Sequence, residues 1–361
     1  MPQWSPGKRV VVLGAGATRG AQFVVRPPQG AAALGCLPPL NADFFTQLQR
    51  VTSAKHADTI AGVVGDVVKL YGPNFSITLE EYFTQLEAMF QTARRAAGLP
   101  PGYRDVDLAV MRLRLLDGLS AVLEESADVA KHESLARNSP CGYHASIVNA
   151  LAPRDTIISF NYDCVMDNSL RENGKGKWSA KYGYCFLRPS KVQQHATWSA
   201  ASPPTALNKS INLLKLHGSL NWYPFPSDQT KPVRLRERTY KQRGHQRYEI
   251  VPPEYVKRAG AKPEYETLWT NAAFALRKAE VIAFVGFSFT PTDLDVEALF
   301  RLSLVSNKKL RRVIIANPNG DHRRRIRSIL SPALKGGVSV VQFDSLADLS
   351  PHFEELVRQQ L

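Results

Sequence analysis

Five short polar or glycine-rich clusters, each following an apolar run, hold the residue types that can do chemistry in this chain. They lie at 14–18, 161–163, 217–219, 286–288 and 317. Gly14 and Gly16 let a backbone turn tightly and approach a ligand with no Cβ in the way. A helix starting there adds free N–H groups and a dipole that favour a phosphate, so a nucleotide pyrophosphate is the first ligand to consider. The dinucleotide fingerprint G-x-G-x-x-G is incomplete, because Arg19 stands where its third glycine belongs. The amide of Asn161 can orient a water and a hydroxyl together. His217 can accept a proton at working pH. Simpler roles are open to the same residues. Asn161 suits a turn, Asp163, Asp43 and Asp293 suit helix caps, and Arg19 suits either a phosphate or the surface.

The elements that must position these groups alternate. Apolar runs at 10–13, 155–163, 213–216, 281–286, 313–316 and 338–343 predict strands, several of them buried on both faces. Between the first two runs, residues 44–150 carry helical periodicity. Thr78 and Glu81 form a capping box there, followed by Tyr82, Phe83, Leu86, Met89 and Phe90 at helical spacing. Asn41 or Asp43 is expected to cap a helix running to Gln49, and Asp321 a basic helix running to Leu330. Strands alternating with helices imply an α/β fold: a Rossmann-like, mainly parallel sheet with helices on both faces, plus an inserted helical layer. The expected domains are 1–40 with 151–361 for the sheet and 41–150 for the helical layer. Residues 171–275 form an irregular, basic insertion within the sheet domain. All five clusters then fall at the carboxyl ends of strands, the edge where open α/β sheets bind ligands.

Net charge is +14, which favours anionic partners such as nucleotides, nucleic acid or an acidic protein surface. From 231 to 262 there are ten Lys or Arg against three Glu, and Arg323, Arg324, Arg325 and Arg327 form a second cluster. Neither a paired-carboxylate nuclease motif nor a known DNA-reading motif accompanies them. The four cysteines are scattered and none forms C-x-x-C, which argues against a zinc ribbon and a disulfide framework. With no apolar run long enough for a membrane span and no leader-like start, a cytoplasmic protein is expected.

The set GAGAT, SFNYD, LHGS, GFSF and ANP resembles the Sir2 (sirtuin) family. The stretches PPLNADFF, LHGSLNW and VGFSFTPTD resemble more closely its bacterial anti-phage defence branch. The resemblance runs from about residue 9 to 345 in order and spacing. It implies NAD as substrate and no zinc. It places Gly14, Ala15, Gly16 and Thr18, with Arg19 beside them, at the pyrophosphate turn. Asp163 falls in the nicotinamide pocket, Gly286 and Ser288 at a second phosphate turn, and Asn317, with Asp293, near adenosine. Asn161 and His217 are the implied catalytic pair. Phe160 departs from the family's glutamine, and the deacetylase loop and zinc ribbon are absent, so deacylation is disfavoured. What remains implied is hydrolysis of NAD to nicotinamide and ADP-ribose. Cleavage of that bond builds oxocarbenium-like charge, and nicotinamide leaves without a strong general acid. The branch also implies a homo-oligomer, with a HerA-type ATPase or a short Argonaute as possible partner. A non-catalytic NAD- or ADP-ribose-binding subunit and a nucleic-acid enzyme are the competing readings.

Overall fold

The computed structural model describes residues 5–24, 35–127, 141–193, 198, 200, 202–236, 248–252, 262–290, 293–334 and 336–359. Ten strands occur among them: β1 (Arg9–Leu13), β2 (Thr156–Ser159), β3 (Val192–Gln193), β4 (Asn212–Lys215), β5 (Gly218–Ser219), β6 (Val233–Arg234), β7 (Glu249–Ile250), β8 (Val281–Val285), β9 (Arg312–Ala316) and β10 (Ser339–Phe343). Six of them form one sheet in the order β10-β9-β8-β1-β2-β4, every neighbouring pair parallel. Counted along the chain, that is the doubly wound Rossmann order, which reverses between β1 and β8. The expected class is therefore the observed one. β1 is central, with Val11 in register with Ile157 on one side and Ala283 on the other. Val10–Leu13 and the whole of β8 are buried, as continuous β-branched and aromatic runs between two helical layers must be.

The helices are α1 (Ala15–Arg19), α2 (Phe44–Gln49), α3 (Ala57–Tyr71), α4 (Leu79–Ala93), α5 (Asp105–Ala127), α6 (Gly142–Ala150), α7 (Val165–Asn173), α8 (Ala180–Gly183), α9 (Pro263–Lys278), α10 (Leu294–Leu304), α11 (Gly320–Leu330), α12 (Leu346–Leu349) and α13 (Phe353–Arg358). Helix α6 packs on α7 and α13, while α9, α10 and α11 pack together. Helices α2 to α5 enclose a second core, centred on Phe44, Leu48, Val67, Phe83 and Leu115. Leu220 and Tyr248 join that core from the sheet side, so the segment after His217 forms the seam between the two.

Several local expectations meet the structure directly. Thr78 and Glu81 make the reciprocal cap, with Glu81 N donating to Thr78 Oγ1 at 3.2 Å and Thr78 N to Glu81 Oε2 at 2.8 Å. Other capping residues differ. Asp43 occupies the N-cap position of α2 without capping it. Its carboxylate accepts from Leu40 N and Gln47 Nε2 instead, and pairs with Arg19. Asn41 serves α4, accepting from Glu80 N at 2.8 Å. Helix α11 is capped by Asn319 rather than Asp321, which lies inside the first turn and pairs with Arg324. Helix α6 falls within 41–150 in sequence, yet it buries Ile147, Val148 and Ala150 in the core of the sheet. Most of the basic stretch 231–262 and residues 25–34 lie outside the described residues.

Candidate functional site

Because every strand of the main sheet is parallel, the five clusters do meet at one edge. The first residue past each strand donates to the end of its neighbour: Gly14 N to Val285 O, Phe160 N to Leu13 O, Leu216 N to Ser159 O, Gly286 N to Ala316 O and Asn317 N to Phe343 O. The edge is thus a continuous rim held by backbone hydrogen bonds, and the loops leave it in fixed directions.

At the point where strand order reverses, the two glycine turns lie against each other. Gly16 N donates to Gly286 O at 2.9 Å. Gly286 has φ +55, and a Cβ there would stand 2.0 Å from Ala17 N. Both glycines are required by this backbone-to-backbone approach. The N–H groups of Gly14 and Gly16 are engaged by β8 and its turn, and α1 is only five residues long. Those two amides are therefore already satisfied within the protein. Ala15 sits exposed on the crest, and Ser288 is half-buried between buried Phe287 and Phe289.

Asn161 stands beside this turn and is 9 % exposed. Its Nδ2 donates to Gly14 O at 3.0 Å and to Thr18 Oγ1 at 3.2 Å. Thr18 in turn donates its hydroxyl to Asp163 Oδ2 at 2.8 Å, and Val165 N donates to Asp163 Oδ1 at 3.0 Å. Gly14 O can only accept, so the amide group of Asn161 has one orientation. Its Oδ1 is buried and accepts no hydrogen bond among the described residues. Buried acceptors are normally satisfied by protein or solvent, so this one marks a place for an external donor.

His217 is 6 % exposed. Its ring meets Phe160 edge-on at 5.0 Å and stacks with Tyr162 at 6.4 Å. Its carbonyl accepts from Val251 N at 2.8 Å, and Tyr162 Oη donates to Val251 O at 2.8 Å. Gly218 follows with φ +78, where a Cβ would stand 2.2 Å from Glu249 O. Only glycine lets β5 pair so closely with β7 and hold the histidine at the rim. Phe160 joins the rim's aromatic floor by packing on Phe287 at 5.1 Å.

Beneath the 161–163 turn lies a polar network that sequence reasoning missed. Lys215, the last residue of β4, is 1 % exposed and donates to Asp163 O and, at 3.2 Å, to Asp167 Oδ2. Tyr184 Oη donates to Asp167 Oδ1 and accepts from Asn221 Nδ2 at 3.0 Å. Burial lowers the affinity of Lys215 for its proton, but its neighbours, Asp167 foremost among them, together outweigh this and raise the pKa of Lys215. Burial also pushes the neighbouring Cys164 thiol well up, so it stays protonated. The one sequence signal was a lysine inside an apolar strand, which demands a buried counter-charge.

Three predicted site residues stand apart from this cluster. Arg19 binds Pro38 O and the Asp43 carboxylate, tying the glycine turn to the helical layer. Asp293 accepts the Thr290 hydroxyl at 2.9 Å at the start of α10. Asn317 lies on the rim, but its amide joins two turns, donating to Phe287 O and accepting from Asn319 N, both at 2.9 Å. In the basic cluster, Arg323, Arg324 and Arg325 each pair with a carboxylate: Asp344, Asp321 and Glu297. A concavity of about 310 Å³ beside Arg323, Phe343 and Asp348 opens at the far edge of the sheet and contains none of the candidate residues. Among the described residues, no group of three or more His, Cys, Asp or Glu side chains gathers to hold a metal, and no helix is long and apolar enough to cross a membrane.

Residues 155–331 match the family model of the SIR2-like domain. The matched span holds Asn161, Asp163, His217, Gly286, Ser288, Asp293 and Asn317. The glycine turn after β1 precedes it. No curated protein matches the chain. The match supports the SIR2-like family and, with the Rossmann-like sheet, an NAD-related activity.

Proposed function

With a SIR2-like domain over 155–331 as the premise, we propose that the chain is an NAD glycohydrolase: NAD+ and water give ADP-ribose, nicotinamide and a proton. The observation that carries this reading is the amide of Asn161, pinned on its nitrogen side and left with a buried oxygen that has no hydrogen-bond partner among the described residues. Oδ1 is an acceptor suited to a ribose hydroxyl or to the attacking water, each of which must present a hydrogen there. Holding that donor in one place removes orientational freedom from the reaction. His217, at the neighbouring strand end, is the group to receive the proton released as water attacks C1′. The aromatic floor of Phe160 and Phe287 keeps bulk water from the reacting carbon and leaves the departing nicotinamide an apolar surface. The substrate's negative charge suits a chain of net charge +14.

The resemblance of the stretches around Asn41, His217 and Phe287 extends the reading to a cytoplasmic, homo-oligomeric effector of anti-phage defence that depletes NAD. A partner such as a HerA-type ATPase or a short Argonaute would control it. The test is NAD consumption by the purified chain, with products resolved by chromatography, alongside Asn161→Ala and His217→Ala. Nicotinamide and ADP-ribose appearing together, and lost in both variants, would support hydrolysis. Tight NAD binding with no turnover would favour a binding subunit. No binding of NAD would refute the reading.

A further inference from the structure

Thr18 is buried and Asp163 half-buried, and each of their side-chain oxygens already has a protein partner. The donors run in one direction: Asn161 Nδ2 to Thr18 Oγ1, then Thr18 hydroxyl to Asp163 Oδ2. The carboxylate at the end of this relay is immobilised from two sides. Val165 N holds its other oxygen, and Lys215 holds its backbone carbonyl. A carboxylate can only accept here, so Thr18 must donate to it and is left to accept from Asn161. Reversing the amide of Asn161 would turn Oδ1 against Gly14 O and against a hydroxyl already committed elsewhere.

We infer that Thr18 and Asp163 are positioning residues, which hold Nδ2 of Asn161 and so leave Oδ1 as the unpartnered acceptor, rather than direct ligands of the dinucleotide. This assignment rests on the glycohydrolase reading for its catalytic consequence, but the relay itself has a readout without turnover. In protein labelled with 15N at asparagine, the Asn161 side-chain peaks are identified by their loss in Asn161→Ala. Thr18→Val keeps the shape and removes the hydroxyl. It should speed solvent exchange of one Asn161 amide proton about tenfold or more, as expected when a hydrogen bond worth one decade is lost. Thr18→Ser should restore the slow exchange. In the turnover assay, Thr18→Val should lower kcat about 10- to 100-fold, the scale of a misplaced catalytic group, with KM within about threefold. Thr18→Ser should recover most of kcat. Thermal unfolding of each variant separates loss of fold from loss of alignment.

The outcomes divide cleanly. Unchanged amide exchange in folded Thr18→Val overturns the relay, whatever the activity. A raised KM with kcat preserved, or altered product inhibition by nicotinamide in Asp163→Asn alone, makes these residues ligands and also overturns it. Slowed exchange that depends on Thr18, in a wild-type chain that never consumes NAD, upholds the relay and refutes the glycohydrolase reading.

Discussion

Replacing Lys215 by Met tests whether the network under the 161–163 turn acts as a unit. Methionine matches the length of the stem, so little volume is lost, but Asp167 is left 1 % exposed without its cation. Removing one partner of a buried pair costs about 3–5 kcal/mol, because the surviving charge is desolvated and uncompensated. For 361 residues unfolding as one unit, an unfolding entropy of about 2.1 cal/mol/K per residue converts this to a drop in Tm of roughly 4–7 °C. The double variant Lys215→Met with Asp167→Asn removes both charges and keeps an acceptor for Tyr184. It should recover most of the loss. Calorimetry or denaturant titration of the four proteins gives the coupling directly. The raised pKa of Lys215 gives a contribution fully present below its unfolded value of 10.5 and lost only as pH rises through the higher folded value. The wild-type advantage should thus be flat from neutral pH down to the carboxylate range. A Tm within about 1 °C of wild type for Lys215→Met, or costs that simply add in the double variant, would refute the reasoning.

Other substitutions probe the rim and the helical layer. Asn161→Ala should leave the fold intact and reduce NAD turnover about 10²- to 10³-fold, comparable to loss of one preorganised polar group in an active site. Gly286→Ala must place a methyl 2.0 Å from Ala17 N at φ +55, so it should either fail to give soluble protein or melt far below wild type, as thermal unfolding would record. Thr78→Ala should cost about 1 kcal/mol through its cap and leave turnover unchanged. Hydrogen bonds from Thr78 hold the Glu81 carboxyl below its usual range. That stabilisation is complete above the unfolded value of 4.5 and fades as pH falls through the lower folded value, so the cost of Thr78→Ala should shrink in acid denaturation series.

The fold was legible because its strands are continuous apolar runs and its helices carry their own caps. Val10–Leu13 and the run at 281–285 could hardly be anything but buried parallel strands, and Thr78 with Glu81 marked a helix start three residues apart. What the sequence concealed is tertiary. Asn41 caps α4 from 39 residues away, and Lys215 meets Asp167 across 48. Neither pairing has a local period to betray it. The glycine turn was legible as a turn, but the partner that its backbone approaches, Gly286, lies 270 residues along the chain. Type and spacing suggested a turn able to meet a phosphate, and its packing on a second strand end had no signal in the sequence. Asn161 and His217 were picked out by their chemistry and by the family resemblance, whereas the orientation of the Asn161 amide depends on Gly14, Thr18 and Asp163 together.

The place of β1 in the sheet also bears on how the chain is made. Its neighbours on the two sides pair Val11 with Ile157 and with Ala283. Of the six strands of the sheet, the central one precedes the rest in the chain and gains its second neighbour only with the fourth to be made, β8. At about 5–20 residues per second on the ribosome, Val11 waits roughly 14 to 54 s between its own emergence and that of Ala283. Throughout that interval a run of four apolar residues has at least one open edge, the geometry that recruits strands from other chains. The helical layer, whose contacts are local and whose α4 is capped from within, can form during the wait. Truncated nascent chains ending before β8 should accordingly bind chaperones through residues 10–13, and release them once 285 has left the exit tunnel.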